Sequence, residues 1–212
     1  MSANTGASTG PDIKAVIFDF GGVLFDWSAE YLYRELIADE AERRWFLTQV
    51  CSPDWNLKQD GGRPIAEAEA ELIARHPDRA ELIRAFYGQW PKTLRGTLDD
   101  GVALLEQLHA AKVPLYGLTN WSAETYPHVD GKYDFLKRFR HVVVSGRVGM
   151  VKPDPRIYAL MLTHVGEAAQ HCVLIDDNAH NADGASAIGM HAIRHTSAAD
   201  TARALRDLGV AF

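Results

Sequence analysis

Short, continuous runs of apolar residues recur along the chain, and segments with a helical spacing of apolar positions lie between most of them. The runs occupy positions 15–18, 113–118, 141–144, 172–175 and, more weakly, 190–193. A continuous apolar run, unlike an alternating one, is typical of a strand that is covered on both faces of a parallel sheet. The pattern therefore predicts a parallel sheet with strands at these positions.

Helix start signals precede the segments between the runs. Asp154 followed by Pro155 is a favourable N-cap with proline at the first helical position. Asp99 opens another amphipathic segment, and Asn178 is a candidate N-cap for a third. Strands that alternate with helices are connected by βαβ crossovers. We therefore predict an α/β fold, a Rossmann-like parallel sheet with helices on both faces.

The segment 28–90 interrupts this alternation because it contains helical patterns one after another and no convincing strand. We expect four helices here, which form an inserted all-helical cap on a core domain made of residues 13–27 and 91–212. One stretch of the insertion, 52–63, lacks a helical pattern and is expected to be a loop. Residues 1–12 are small and polar, and we expect a flexible tail there.

The composition is that of a folded globular protein. Of the 212 residues, 47% are apolar and 24% are charged. The 22 Lys and Arg residues against 28 Asp and Glu residues give a net charge of −6 without a basic stripe, so nucleic acid is not an expected partner. No run approaches the ~20 apolar residues of a membrane span, and no secretory signal pattern is present.

The two cysteines, Cys51 and Cys172, have no metal-ligand spacing, which fits a reducing compartment. We therefore expect a cytoplasmic protein with no membrane partner, and the sequence makes no prediction of oligomeric state.

Residues with chemical functions follow the ends of three predicted strands. They are Asp19, Gly21, Gly22, Thr119, Asn120, Asp176 and Asp177. Because ligands of open α/β sheets bind at the carboxyl ends of the strands, we expect these residues to converge, together with Lys152 near the Pro155 helix start. Three carboxylates repel one another and a single lysine does not neutralise them. A divalent cation with oxygen ligands would neutralise them. Mg²⁺ typically combines one or two carboxylates with a substrate phosphate.

This set of side chains suits phosphoryl transfer. Asp19 is the candidate nucleophile, which attacks phosphorus and forms an aspartyl-phosphate that water later hydrolyses. The metal and Lys152 stabilise the charge on the transferring group. Gly22, with Gly21, lets the backbone approach an anion closely, and Thr119 and Asn120 can donate to phosphoryl oxygens. We therefore predict a small phosphorylated metabolite as substrate.

Four segments resemble, in order and spacing, the motifs of the haloacid dehalogenase-like (HAD) hydrolases. They are residues 16–24, 118–120, 149–153 and 175–178. The resemblance extends from residue 14 to the C-terminus, and the insertion lies where this superfamily carries its cap domain. The Asp-Phe-Gly-Gly-Val and Asp-Asp-Asn versions resemble the branch of sugar-phosphate phosphatases, such as glucose-1-phosphate phosphatases. The resemblance implies a Mg²⁺-dependent phosphatase, with a sugar phosphate as the substrate.

The resemblance also implies roles for individual residues. The implied metal ligands are Asp19, the backbone carbonyl of Gly21, Asp177 and, close behind it, Asp176. The implied phosphoryl-binding residues are Thr119, Asn120 and Lys152, and Lys152 also holds Asp19 in place. One departure concerns Gly21, because most phosphatases of the superfamily have a second Asp there that protonates the leaving group and activates water. Loss of such an acid typically costs ~10²–10⁴-fold in rate.

Three residues of the predicted 52–63 loop, Trp55, Gln59 and Asp60, are expected to contact the leaving group and to set substrate specificity. Two other functions remain open at this point. A 2-haloacid dehalogenase would use the same nucleophile without a metal, which the Asp176 and Asp177 pair disfavours. A protein that binds a phosphorylated ligand without turnover is disfavoured by the intact Asp19.

Overall fold

The computed structural model describes residues 11–212, so the predicted flexible tail (1–12) lies almost entirely outside the described residues. Seven strands are present in this part of the chain. They are β1 (Ala15–Phe18), β2 (Phe25–Trp27), β3 (Leu94–Thr97), β4 (Leu115–Thr119), β5 (His141–Val144), β6 (Cys172–Asp176) and β7 (His191–Arg194). Strands β1, β4, β5, β6 and β7 lie at the predicted apolar runs, within two residues at each end.

Helices occupy most of the segments between the strands. The α-helices are α1 (Ala29–Leu36), α2 (Glu40–Trp45), α3 (Pro53–Asp60), α4 (Ile65–Arg75), α5 (Ala80–Gly88), α6 (Asp99–Ala110), α7 (Ser145–Val148), α8 (Pro155–Val165), α9 (Ala179–Ala187) and α10 (Ala198–Asp207). The predicted caps form: Asp154 accepts a hydrogen bond from the Arg156 backbone at the start of α8, and Asn178 accepts one from His180 at the start of α9.

Five strands form one parallel sheet in the order β5-β4-β1-β6-β7. Strand β1 lies at its centre, where Val16 pairs with Leu115 of β4 and with Val173 of β6. All five carboxyl ends therefore meet at one edge of the sheet. The predicted α/β architecture is confirmed.

Apolar side chains cover both faces of this sheet. On β1, Val16 and Phe18 belong to one hydrophobic cluster, which also contains residues of α6 and α10. Ala15 and Ile17 belong to the other, which contains residues of α8 and α9. Successive side chains of a strand point to opposite faces. The continuous apolar pattern of the strand thus follows from helices on both sides.

The prediction of a loop at 52–63 is wrong, because this stretch contains α3, and the 28–90 segment has five α-helices where four were expected. Ser52 is the N-cap of α3, its hydroxyl accepts a hydrogen bond from the Trp55 backbone, and Pro53 occupies the first turn. The helix buries only Trp55 and Gln59, one turn apart. Because one of these two residues is polar, the stretch has no apolar period for sequence analysis to detect.

A short antiparallel ribbon joins the helical segment to the rest of the fold. Strands β2 and β3, on either side of α1–α5, pair with each other, with Phe25 opposite Thr97. This ribbon was not predicted from the sequence, because each of its strands is only three or four residues long. Among residues 11–212, no helix is long and apolar enough to cross a membrane.

Candidate active site

Asp19 follows the last residue of β1 and lies at the carboxyl edge of the sheet. Its backbone N–H donates to the Ile175 carbonyl at 2.8 Å, which continues the pairing with β6 by one residue. Its side-chain Oδ1 accepts a hydrogen bond from the Phe20 backbone at 2.7 Å and lies 3.0 Å from Lys152 Nζ. The carboxylate is therefore held in one orientation by two donors.

Lys152 is fully buried and bridges two carboxylates. Its Nζ lies 2.6 Å from Asp176 Oδ2 and 3.0 Å from Asp19 Oδ1. Burial lowers the pKa of the Lys152 ammonium, but the Asp19 and Asp176 charges outweigh this effect and raise the pKa above its ordinary value. The site thus contains a permanent positive charge beside Asp19.

Asp176 is fully buried, and protein donors surround its carboxylate. Oδ1 accepts hydrogen bonds from the Asn178 backbone at 3.0 Å and from Asn181 Nδ2 at 3.1 Å, while Oδ2 faces Lys152. The contact of Asn181 with Asp176 was not predicted from the sequence. The position of Asn181, in the first turn of the helix that Asn178 caps, could have indicated it.

Asp177 is exposed, and its carboxylate lies directly against the backbone of Gly22. A Cβ at position 22 would lie 2.3 Å from Asp177 Oδ2, and Gly22 has a φ of +68°, in the left-handed region. Glycine is therefore required at this position for two reasons: the backbone conformation and the close approach of the carboxylate.

Asp19, Asp176 and Asp177 each offer an oxygen atom, and these atoms all lie within 4.8 Å of one another. Burial raises the pKa of Asp19 to about 7, against the opposing charge of Lys152, and the Asp176 and Asp177 carboxylates raise it further. Three carboxylates around one ammonium leave negative charge uncompensated. This donor set fits a hard divalent cation with oxygen ligands, as the sequence analysis expected of Mg²⁺.

Asn120 has a more specific arrangement than the sequence suggested. Its Oδ1 accepts from the Lys152 backbone N–H at 2.8 Å, and its Nδ2 donates to the Lys152 carbonyl at 3.0 Å. This reciprocal pair fixes the backbone of Lys152. Thr119, also predicted to bind phosphate, is the buried last residue of β4.

A cavity of about 90 Å³ opens above Asp19. Its lining residues are Asp19, Gly21, Trp27, Asn56, Asp60, Tyr87, Trp90, Asn120, Trp121 and Thr125. Of the three residues predicted to set specificity, Asp60 lines this cavity, whereas Trp55 and Gln59 do not. Trp27 and Trp90 lie at the two ends of the inserted helical segment, a position that could have indicated that they line the cavity.

Trp55 and Gln59 lie in the interior of the helical segment. The Trp55 ring packs against Phe86 and Tyr87. Gln59 is fully buried, and its Nε2 donates to the Trp55 carbonyl at 2.7 Å and to the Tyr87 hydroxyl at 3.2 Å. Both residues therefore support the cavity wall from behind.

Asp60 and Asn56 form the polar part of this cavity wall. Asn56 Nδ2 donates to Asp60 Oδ2 at 2.8 Å, and the Tyr87 hydroxyl donates to Asn56 Oδ1 at 2.9 Å. The Ser145 hydroxyl donates to the Asp60 backbone carbonyl at 2.5 Å, which connects α3 to α7. Burial raises the pKa of Asp60 to about 7, although the Ser122 backbone N–H opposes the shift.

A family model for haloacid dehalogenase-like hydrolases matches residues 13–189 of this chain. The phosphatase MT3486 of Mycobacterium tuberculosis is 30% identical over 197 residues, which cover 85% of this chain and 86% of the relative. The sesquiterpene phosphatase astK of Aspergillus oryzae is 26% identical over 195 residues, 92% of this chain and 96% of the relative. The drimenol cyclase drtB of Aspergillus calidoustus is 26% identical over 185 residues, and the match spans only 34% of that protein.

Solved structures share the fold. The HAD family enzyme bt-2542 of Bacteroides thetaiotaomicron, in complex with magnesium and inorganic phosphate, superposes with a TM-score of 0.64 at 21% identity over 87% of this chain and 95% of that one. The L-2-haloacid dehalogenase of Xanthobacter autotrophicus superposes with a TM-score of 0.59 at 19% identity, over 94% of this chain and 85% of that one. The family resemblance and the hydrolase class are confirmed, and the sugar-phosphate branch stays a prediction.

Proposed function

Because this chain belongs to the haloacid dehalogenase-like hydrolase family, we propose that it is a Mg²⁺-dependent phosphatase acting on a small phosphorylated metabolite through an aspartyl-phosphate on Asp19. One observation carries the proposal. Asp19 shares a buried ammonium with Asp176 and shares a cluster of carboxylate oxygens with Asp177, at the floor of a cavity. Such a site combines a nucleophile with charges that stabilise a transferring phosphoryl group.

In this mechanism each residue has a defined task. Lys152 and the Phe20 backbone orient the Asp19 carboxylate, and Asn120 fixes the backbone that carries Lys152. Asp19, Asp177 and the Gly21 carbonyl would hold Mg²⁺, which supplies positive charge to the cluster and to the phosphoryl oxygens. Thr119 and Asn120 bind the phosphoryl group at the strand ends. Orientation of this kind accelerates attack because the reactants need no further ordering.

The cavity lining supports a sugar as the leaving group. Trp27, Trp90 and Trp121 offer aromatic faces, while Asn56 and Asp60 offer polar atoms on one side. An apolar pocket with a few placed polar groups suits a ligand that has an apolar face and hydroxyls. We therefore retain a sugar phosphate as the first candidate substrate.

A second leaving-group class, an apolar alcohol, is favoured by an adjoining groove of about 370 Å³. The groove shares Trp27, Asn56 and Asp60 with the cavity above Asp19, and its other walls include Leu47 and Leu57. The relative from Aspergillus oryzae is named a sesquiterpene phosphatase. An extended apolar chain attached to phosphate would have room in this groove.

The test is a phosphatase assay with a sugar 1-phosphate, its 6-phosphate isomer, a prenyl monophosphate and 4-nitrophenyl phosphate, each with Mg²⁺ and with EDTA. Phosphate release that EDTA abolishes is expected. Halide release from a 2-haloacid that is insensitive to EDTA would instead identify a dehalogenase. Binding of phosphate esters without turnover of any of them would identify a ligand-binding protein. The ratio of sugar to prenyl rates decides between the two substrate classes.

A further inference from the structure

We infer that Asp60, on the helical segment, is the acid–base residue that replaces the carboxyl group missing at Gly21. This inference rests on the proposed phosphatase function. Asp60 would protonate the leaving oxygen in the first step and deprotonate water in the second.

Asp60 lines the cavity into which the leaving group would project. In phosphoryl transfer the attacking and leaving oxygens lie roughly in line with phosphorus, so the leaving oxygen points away from Asp19. Asp19 lies at the sheet edge, and Asp60 lines the same cavity from α3. Among the cavity-lining residues that the structure describes, Asp19 and Asp60 are the two with carboxyl groups.

Among residues 11–212, no side chain from elsewhere in the fold fills the space beside Gly21. A Cβ built on Gly21 would have no atom within 4 Å among the described residues other than its own backbone and its two chain neighbours. No side chain from elsewhere in the described part of the fold therefore packs against the position where a side chain of residue 21 would begin. The proton donor has to reach the leaving oxygen from another wall, and Asp60 is the carboxyl group on the wall formed by the helices.

The surroundings of Asp60 allow both its protonated and its ionised form near neutral pH. Burial raises its pKa to about 7, and its location at the C-terminal end of α3 disfavours a negative charge there. The groups that face it are the Asn56 amide, the Tyr87 phenol and the Ser122 backbone N–H. An acid–base catalyst works best with a pKa close to the operating pH.

No cation within residues 11–212 forms an ion pair with Asp60. The nearest guanidinium along the chain is that of Arg63, whose Nε donates to Gln59 Oε1 at 2.8 Å and whose second nitrogen pairs with Glu71 at 2.6 Å. Asp60 thus differs from Asp19, which shares Lys152. An unpaired carboxyl group can gain and lose a proton without breaking a salt bridge.

Both chemical steps conserve atoms and charge. An Asp19 oxygen attacks phosphorus, the bond to the leaving oxygen breaks, and that oxygen takes the proton of Asp60 and departs as the alcohol. Asp60, now a carboxylate, takes a proton from water while the water oxygen attacks phosphorus. The bond between phosphorus and Asp19 then breaks, which releases inorganic phosphate and returns Asp19 as a carboxylate and Asp60 as an acid.

The first experiment compares wild type with Asp60→Asn on phenyl phosphate and 4-nitrophenyl phosphate in the presence of Mg²⁺. Because general acid help is largest for poor leaving groups, kcat/KM for phenyl phosphate should fall by ~10²–10⁴-fold and that for 4-nitrophenyl phosphate by less than about tenfold. The variant should also release a burst of one nitrophenolate per enzyme, because dephosphorylation lacks its base. Asp54→Asn, an exposed change on the same helix, is the matched control and should behave like wild type.

The second experiment restores a carboxyl group at the core position in the double variant Gly21→Asp with Asp60→Asn. A Cβ has room at Gly21, so the double variant should recover activity on phenyl phosphate relative to Asp60→Asn alone. A purely structural role of Asp60 would not be rescued in this way. Equal loss on both substrates, no burst and no rescue would overturn the inference while leaving the phosphatase in place. A wild-type enzyme that turns over neither ester would overturn the proposed function itself.

Discussion

Asp177 Oδ2 lies so close to the backbone of Gly22 that a Cβ at position 22 would be only 2.3 Å from it. The carboxylate of the fourth motif can therefore take this position only because the first motif has glycine there, although the two residues lie 155 positions apart in the chain. Gly22 thus leaves room for the carboxylate that we propose as a Mg²⁺ ligand, in addition to any role in approaching phosphate.

Gly22→Ala should therefore displace Asp177 and weaken Mg²⁺ binding by about tenfold or more. The left-handed backbone adds a stability cost of about 1–2 kcal/mol. Gly131→Ala is the matched control, because Gly131 has a φ of +73° and no atom within 4 Å of its Cβ position. Mg²⁺ titration of activity separates the two variants. An equal effect of both on the Mg²⁺ requirement would show that strain alone is responsible.

Asp19→Asn should abolish turnover, with a loss of about 10⁴-fold or more, because the amide is a poor nucleophile of nearly the same shape. The fold should persist, since Lys152 keeps its contact with Asp176. Trapping with beryllium fluoride should modify the Asp19 site in wild type and not in the variant. Substantial activity of purified Asp19→Asn would rule out the covalent mechanism.

Substitution of Asp176 should mainly reduce the stability of the fold, whereas substitution of Asp177 should mainly change the Mg²⁺ requirement. Asp176→Ala leaves Lys152 with one buried partner and removes the acceptor of Asn181, so we expect a loss of about 3–5 kcal/mol in the free energy of unfolding. Asp177→Ala changes an exposed residue, so we expect an altered Mg²⁺ requirement with little change in stability. Urea unfolding and Mg²⁺ titration of both variants measure this contrast. Similar stabilities of the two variants would contradict it.

The raised pKa of Asp60 should make the free energy of unfolding depend on pH. Its pKa is about 7 in the folded protein, against about 3.9 for an unfolded aspartate. Between these values the folded state binds a proton that the unfolded state has released, so the contribution of Asp60 to stability falls as pH rises from about 4 to 7. Asp60→Asn should therefore gain stability relative to wild type across this window. Urea unfolding at several pH values measures the difference, and a constant difference would be evidence against the raised pKa.

Trp27 should affect which substrates are accepted, because it lines both the cavity and the adjoining groove. Trp27→Ala should change the ratio of sugar-phosphate to prenyl-phosphate rates while sparing 4-nitrophenyl phosphate, since remote contacts mainly change preference. Trp45→Ala is the control, because Trp45 is similarly exposed, at 44% against 38%, but does not line the described cavities. A uniform decrease on all substrates would mean that Trp27 supports the fold.

The strands of the parallel sheet, and the edge of the sheet at which the candidate active site lies, could be predicted from the amino-acid sequence alone. Continuous apolar runs identify strands that are covered on both faces, and this property depends on the run itself, as β1 and β6 show. Because ligands bind at the carboxyl ends of parallel strands, the sequence also predicts that Asp19 and Asp176 lie close together. These inferences succeed because they use local patterns and one general property of the architecture.

Which side chains face the cavity, in contrast, depends on how the helices pack in three dimensions. Helix α3 buries Trp55 and Gln59 and presents Asp60 to the space above Asp19, a choice set by packing against Phe86 and Tyr87. The contacts of Gly22 with Asp177, and of Asn181 with Asp176, likewise join residues whose nearness depends on strand order and helix placement. Such contacts leave no periodic signal, because they arise from the meeting of distant segments and not from the preferences of any one of them.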